Sequence, residues 1–249
     1  MVTVIISAGL SAVRISNKRY ASTPTVVPTS SRSWLAAAPL TPGTRMEQSQ
    51  FSVAELRTVV DEAHRLGLPV VAHAHGTQSI IDALDAGVDG IEDVSFMTAD
   101  DVDLIPDVVF ALLAARPVTL GLTLGAKAGA SGLPPQIADR LPKLVANARR
   151  LYESGATLVI GSDAGIAPPK PHDVLPWAIK MATGVGMTRA EALRTSTSAA
   201  ATACGLGDRK GRIATGYDAD LLIVDGDPRQ DLDALHRIRA VYLRGTALS

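Results

Sequence analysis

The chain has 249 residues, 47% of them hydrophobic and 20% charged, which is the balance of a globular protein able to build a sizeable core. Its 24 Lys and Arg offset 25 Asp and Glu, so it lacks the long-range positive field that gathers nucleic acid or anionic membrane, and small or neutral partners fit better. The single cysteine, Cys204, cannot close an internal disulfide; lying in an Ala-rich stretch it reads as a buried spectator, a count that suits a reducing cytoplasm.

The segment from Met1 to Val13 is apolar, but no basic residue precedes the apolar run, and no stretch is long enough to span a bilayer. A soluble, cytoplasmic protein is the expectation. Residues 1–45 are rich in Ser, Thr and Pro and lack a period, which predicts an irregular segment. From about Gln50 the pattern changes to helices alternating with short apolar strands, the signature of a parallel sheet wrapped by helices. Ser52 followed by Glu55 is a capping box, and Val53, Leu56, Val59, Val60, Ala63 and Leu66 form one apolar stripe that stops at Gly67. Next come a strand over 68–72, a helix over 77–86, a strand over 90–94, a helix over 108–115 and a strand near 118–122. A long helix over about 136–153 leads into a strand over 156–161 and then two helices, the second opened by the capping box Thr188 to Glu191.

Beyond Gly205 the glycines Gly211, Gly216 and Gly226 punctuate short alternating segments, 219–224 and 238–243, which read as antiparallel strands of a small appended β-layer. The expected organisation is an irregular segment 1–45, a partial barrel 46–205 and a β-strand region 206–249. A closed eight-stranded (β/α)8 barrel takes roughly 250 residues, so the α/β region holds about half of one.

Two strand ends carry the sharpest chemistry. The run Val70-Val71-Ala72-His73-Ala74-His75-Gly76 drives an apolar strand into two histidines, and barrels place their chemistry at the C-terminal ends of strands. The strand is expected to end between the two, with His73 the better metal ligand; a pair of capping histidines is the plain alternative. In Leu158-Val159-Ile160-Gly161-Ser162-Asp163-Ala164-Gly165, Asp163 stands where a carboxylate could both bind a divalent cation and accept a proton from water; capping the following turn is its alternative. A third strand end, Gly90-Ile91-Glu92-Asp93-Val94, offers adjacent carboxylates of which Asp93 is expected to face the site, solvated loop acids being the plain reading. His172, on the loop after Asp163, could contact substrate, while His64 and His236 read as surface residues. No G-x-S-x-G elbow, Gly-rich phosphate loop or paired cysteines occur, which leaves metal-assisted hydrolysis.

The segments FSVAELRTVVDEAHRLGLPVVAHAHG, DALDAGVDGIEDVSF, LVIGSDAG and GRIATGYDADLLIVDGDP, in this order from about Leu40 to Gly245, resemble the amidohydrolase superfamily, nearest the imidazolonepropionase-like branch that includes Xaa-Pro dipeptidases. The resemblance implies a metal-dependent TIM-barrel hydrolase of amide-type C–N bonds, with a composite β-sandwich and one or two divalent metals, zinc first. By position it implies that His73 is the fifth-strand metal ligand, that Asp163 is the eighth-strand aspartate binding metal and shuttling protons, and that His75 and His172 lie on the substrate side. Asp93 falls on the family's sixth-strand histidine and could coordinate as a carboxylate. The first-strand H-x-H pair has no counterpart, since no histidine precedes His64. The place of the fourth-strand lysine falls near Arg32, where one permitted choice of codons, read one base earlier, spells a lysine strand from Ser31 to Pro39. The chain is therefore expected to be N-terminally incomplete.

Two functional expectations follow. In the first, a dipeptide, N-acyl amino acid or lactam is hydrolysed, with activity impaired by the missing ligands. In the second, a non-catalytic remnant or binding protein self-associates as a homo-oligomer through its incomplete barrel. A glycosidase using Glu92 and Asp93 is set aside, because neighbouring strand residues face opposite ways.

Overall fold

The computed structural model describes residues 2–6, 45–127 and 135–248, which form two compact units, Met1–Leu120 and Gly121–Ser249. The presumed lysine strand near Arg32 lies outside the described residues.

In the first unit, helix α1 (Val53–Arg65) starts where the capping box places it: Ser52 Oγ accepts from the Glu55 N–H and the Glu55 carboxylate accepts from the Ser52 N–H. Leu56, Val60 and Ala63 are buried, whereas Leu66, at the C-cap, stays exposed. Each large apolar side chain so buried contributes about 1.5–3 kcal/mol. The stripe packs on α2 (Thr77–Ala86), whose bounds are those read from the sequence. Between the two helices runs β2 (Val70–Gly76), paired in parallel with β3 (Gly90–Met97). Helix α3 (Asp107–Ala115) follows, and β4 (Thr119–Leu122) begins beside β3, the Thr119 N–H donating to the Asp89 carbonyl.

Two features of this unit depart from expectation. Within the segment expected to be irregular, Val2–Ile6 forms strand β1, antiparallel to β2 with Thr3 opposite His73. Its run of Val, Thr and Ile has the β-branched bias of a strand, which the overall Ser, Thr and Pro content of 1–45 obscures. Strand β2 also does not end between the histidines but continues through His75 to Gly76. There the chain passes so close under Glu47 that a Cβ on residue 76 would overlap its carbonyl, which leaves room for glycine alone.

The second unit holds α4 (Pro135–Glu153), β5 (Thr157–Ile160), α5 (Leu175–Val185), α6 (Arg189–Thr195) and α7 (Ser198–Ala203), the last not anticipated from the sequence. The end of β4 lies beside β5, the Gly161 N–H donating to the Leu122 carbonyl. Leu158, Val159 and Ile160 are buried, as are Ala178, Ile179, Ala182 and Val185 of α5. Cys204, expected to be buried, is exposed, because it caps α7 rather than lying on a packed face.

A 3₁₀ turn (Leu232–His236) separates β6 (Leu221–Val224) from β7 (Ile238–Leu243), and β8 (Thr246–Leu248) completes a three-stranded antiparallel sheet. Leu222 and Leu248 both stand opposite Val241, so they share one face, and both remain exposed together with Leu243. No helix among the described residues is long and apolar enough to cross a membrane. An α/β fold with a partial barrel and a C-terminal antiparallel layer is thus what the elements compose.

The second capping box provides a test of the helix-start reading. Thr188 Oγ1 and the Thr188 N–H both donate to the Glu191 carboxylate, which these hydrogen bonds hold below the usual carboxylate pKa. A depressed folded pKa adds stability that is present above the unfolded value and fades as pH falls through the folded one. Thr188→Ala should therefore cost about 1 kcal/mol at neutral pH. In urea titrations the gap from the parent chain should narrow as Glu191 protonates under acid; an unchanged gap would mean that the box does not depend on the charge.

Candidate metal centre

The first unit gathers His73, His75 and Asp93 so that one ligand atom from each lies within 4.8 Å of the others. Strand geometry explains the two histidines. Residues two apart on a strand point to the same face, so the continuation of β2 past His73 is what brings the rings together, with centroids 4.6 Å apart in a T-shaped arrangement at 85°.

Asp93 arrives by a different route. In the β2–β3 register Glu92 stands opposite His73, and Asp93 opposite Ala74, so a regular pleat would turn Asp93 to the far face. The ladder breaks just there. A step from Ala74 to Gly76 on β2 is met by a step from Asp93 to Met97 on β3, and within this bulge Asp93, Val94 and Phe96 have φ of 76°, 42° and 54°. Left-handed backbone is uncommon for any residue but glycine and an outlier for valine. Here it turns the Asp93 carboxylate onto His73, with Oδ2 in direct contact with the His73 Nδ1 and 3.9 Å from the His75 Nε2. Both partners are buried, their side chains 10% and 6% exposed.

The bulge also delivers Ser95, which sequence reasoning missed. Its Oγ lies 2.7 Å from His75 Nδ1 and donates to the His75 carbonyl at 3.4 Å. The only trace in the sequence is a serine two residues beyond Asp93. On its other side, His73 presents Nε2, which is buried and has no hydrogen-bond partner among the described residues. An orphaned buried imidazole nitrogen on a ring that also meets a second imidazole and a carboxylate fits a divalent cation.

The second unit holds the remaining expected site residues. Asp163 follows the buried strand β5 with φ of 50°, its carbonyl accepting from the Ile166 N–H at 3.3 Å. The ring of His172 lies over Gly165, where an added Cβ would sit 2.8 Å from its Cε1. Lys170, also missed, ties this loop down: its Nζ donates to the Thr123 carbonyl at 2.6 Å and to the Ser162 carbonyl at 3.3 Å. The two histidines expected on the surface have structural partners, His64 with Asp89 at 2.8 Å and His236 packed at a tilt against Trp177 with centroids 4.0 Å apart.

The sequence signature of the amidohydrolase family matches residues 41–248. The chain belongs to this family. An ochratoxinase of Aspergillus niger is 27% identical over 198 residues, 78% of this chain and 40% of the relative. An imidazolonepropionase of Deinococcus radiodurans is 31% identical over 208 residues, 81% of this chain and 47% of the relative. Among solved structures, a Xaa-Pro dipeptidase with methionine bound in its active site superposes with a TM-score of 0.68 at 26% identity, covering 82% of this chain and 50% of that one. The chain spans about half the length, or less, of these amidohydrolases.

The loop after β5 yields a local prediction. Gly165 has φ of 88° and no room for a Cβ beneath His172, so Gly165→Ala should lower stability by about 1 kcal/mol or more and displace the imidazole. Chemical denaturation together with the His172 ring resonances checks this; neither moving would show that the ring does not rest there.

Proposed function

We propose that this chain is the metal-binding portion of an amidohydrolase that cleaves an amide-type C–N bond in a small substrate: a dipeptide, an N-acyl amino acid or a lactam. The observation that carries the reading is the buried His73 Nε2, without a hydrogen-bond partner among the described residues, in a residue of the His73, His75 and Asp93 cluster. Membership in the amidohydrolase family and the names of the relatives support hydrolysis, and the dipeptidase neighbour supports a small peptide-like substrate.

His73 and His75 would hold the cation, zinc first, with Asp93 against both rings. The cation, when bound, supplies the acidity that makes water a nucleophile near neutral pH. In the second unit, the resemblance assigns to Asp163 the role of the family's proton-shuttling aspartate, a carboxylate that takes a proton from water and gives it to a departing nitrogen. His172, above Gly165, is the substrate-side group of the second unit. The near-neutral charge balance agrees with a small, weakly charged substrate.

The test uses the full chain, purified free of metal and reloaded with zinc. Near-stoichiometric uptake and turnover of one of the three substrate classes, abolished by chelation, is the expected result. Asp163→Asn should keep the fold and lower kcat by roughly 10²–10⁴-fold. A folded chain that takes up no zinc and turns over none of these substrates would overturn the reading in favour of a non-catalytic binding protein.

A further inference from the structure

We infer that Asp93 is a positioning residue: from the bulge of β3 it holds His73 in the Nδ1–H tautomer and so makes Nε2 the nitrogen that a cation meets. The inference rests on the proposed metal site and deepens it, replacing the expectation that Asp93 binds the ion directly.

Three observations carry it. First, Asp93 Oδ2 and His73 Nδ1 are in direct contact. Two ligands of one tetrahedral zinc, each about 2.0–2.2 Å from the ion, stand more than 3 Å apart, whereas these two atoms meet as donor and acceptor of one hydrogen bond. A carboxylate only accepts, so the proton of that bond belongs to Nδ1. Second, the opposite nitrogen, Nε2, is buried and has no hydrogen-bond partner among the described residues. An imidazole that gives one N–H to a carboxylate and turns its other nitrogen to a cation is the usual arrangement of a ligating histidine. Third, the bulge that turns Asp93 onto His73 also brings a polar partner to the neighbouring ring: Ser95 Oγ lies 2.7 Å from His75 Nδ1.

The backbone explains why a bulge is needed. Without left-handed φ at Asp93, the register would present Glu92 to His73 and turn the Asp93 carboxylate to the other face. The extra residues of β3 thus serve as a jig, setting the tautomer of His73 from the neighbouring strand.

The decisive measurement is the histidine tautomer in the metal-free full chain, read from long-range ¹H–¹⁵N spectra of ¹⁵N-histidine-labelled protein at about pH 8, where imidazole is neutral. His73→Gln assigns the signals. His73 should show the Nδ1–H form, and Asp93→Ala should move it toward the Nε2–H form that a free imidazole favours. If Ala at this position unfolds the chain, Asp93→Asn, which keeps the shape but not the charge, should produce a mixture of the two. Zinc titration should show Asp93→Ala binding about 10- to 100-fold more weakly with unchanged stoichiometry. The cobalt-loaded variant should keep the visible absorption envelope of the parent, since no ligand is lost. An Nε2–H tautomer in the parent chain, or a cobalt spectrum reshaped by Asp93→Asn or Asp93→Ala, overturns the assignment. Absence of any metal uptake would defeat the proposed function alone, because the metal-free tautomer still decides the role of Asp93.

Discussion

The contact between the Asp93 carboxylate and His73 Nδ1 depends on backbone that a strand does not ordinarily adopt. Residues in sparsely populated φ regions cost of order 1–3 kcal/mol each and persist only where surrounding packing over-determines them. That packing is visible on both sides of the bulge: Ile91 before it and Phe96 within it are fully buried, with Val94 and Met97 nearly so. The apolar pegs hold the strand in the core while the segment between them is free to reverse its pleat. Bulges gather where a strand must re-aim a side chain, and here the re-aimed groups are Asp93 toward His73 and Ser95 toward His75.

The two compact units share a local plan. In each, a short run of buried apolar residues ends in an aspartate with positive φ, Asp93 after Ile91 and Asp163 after Ile160. Aspartate tolerates the left-handed region better than most residues. The chain can therefore turn sharply at these points, within β3 at Asp93 and just past β5 at Asp163, and still keep a carboxylate there. In the second unit the turn is secured by Gly165 beneath His172 and by Lys170 bonded to the Ser162 carbonyl. Strands β2 and β3 carry His75 and Asp93, whereas Asp163 and His172 sit on the loop that follows β5.

Much of this was legible in the sequence because it is local. Capping boxes at Ser52 and Thr188 place two helix starts, and the apolar period of 77–86 gives α2 its bounds. The two strand ends that carry His73 and Asp163 stand out as apolar runs broken by polar residues. What could not be read depends on pairing. The extension of β2 through His75 needs β3 as a partner, and the bulge exists only as a mismatch between two strands, so neither has a one-strand signature. The short helix α7 and the strand β8 lack a long period of their own, and the exposure of Cys204 follows from its place at the end of α7, which an Ala-rich composition does not reveal.

A carboxylate at residue 93, where the family resemblance leads one to expect an imidazole, changes what the cluster can offer a cation. A histidine there would bring a neutral nitrogen ligand; the aspartate brings a negative charge that already occupies His73 Nδ1. Hydrogen bonding to a carboxylate raises the basicity of the opposite nitrogen, so a ligand lost in number is partly offset by a stronger donor at His73 Nε2. A change of this kind alters the strength and charge of the site without altering which strand presents it. His73 thereby becomes the residue on which the cluster turns: it touches Asp93 through one nitrogen, packs edge-on against His75, and leaves the other nitrogen buried without a partner among the described residues. A buried polar atom in that condition costs about 1–3 kcal/mol unless something binds it, and a cation bound at Nε2 would remove that cost.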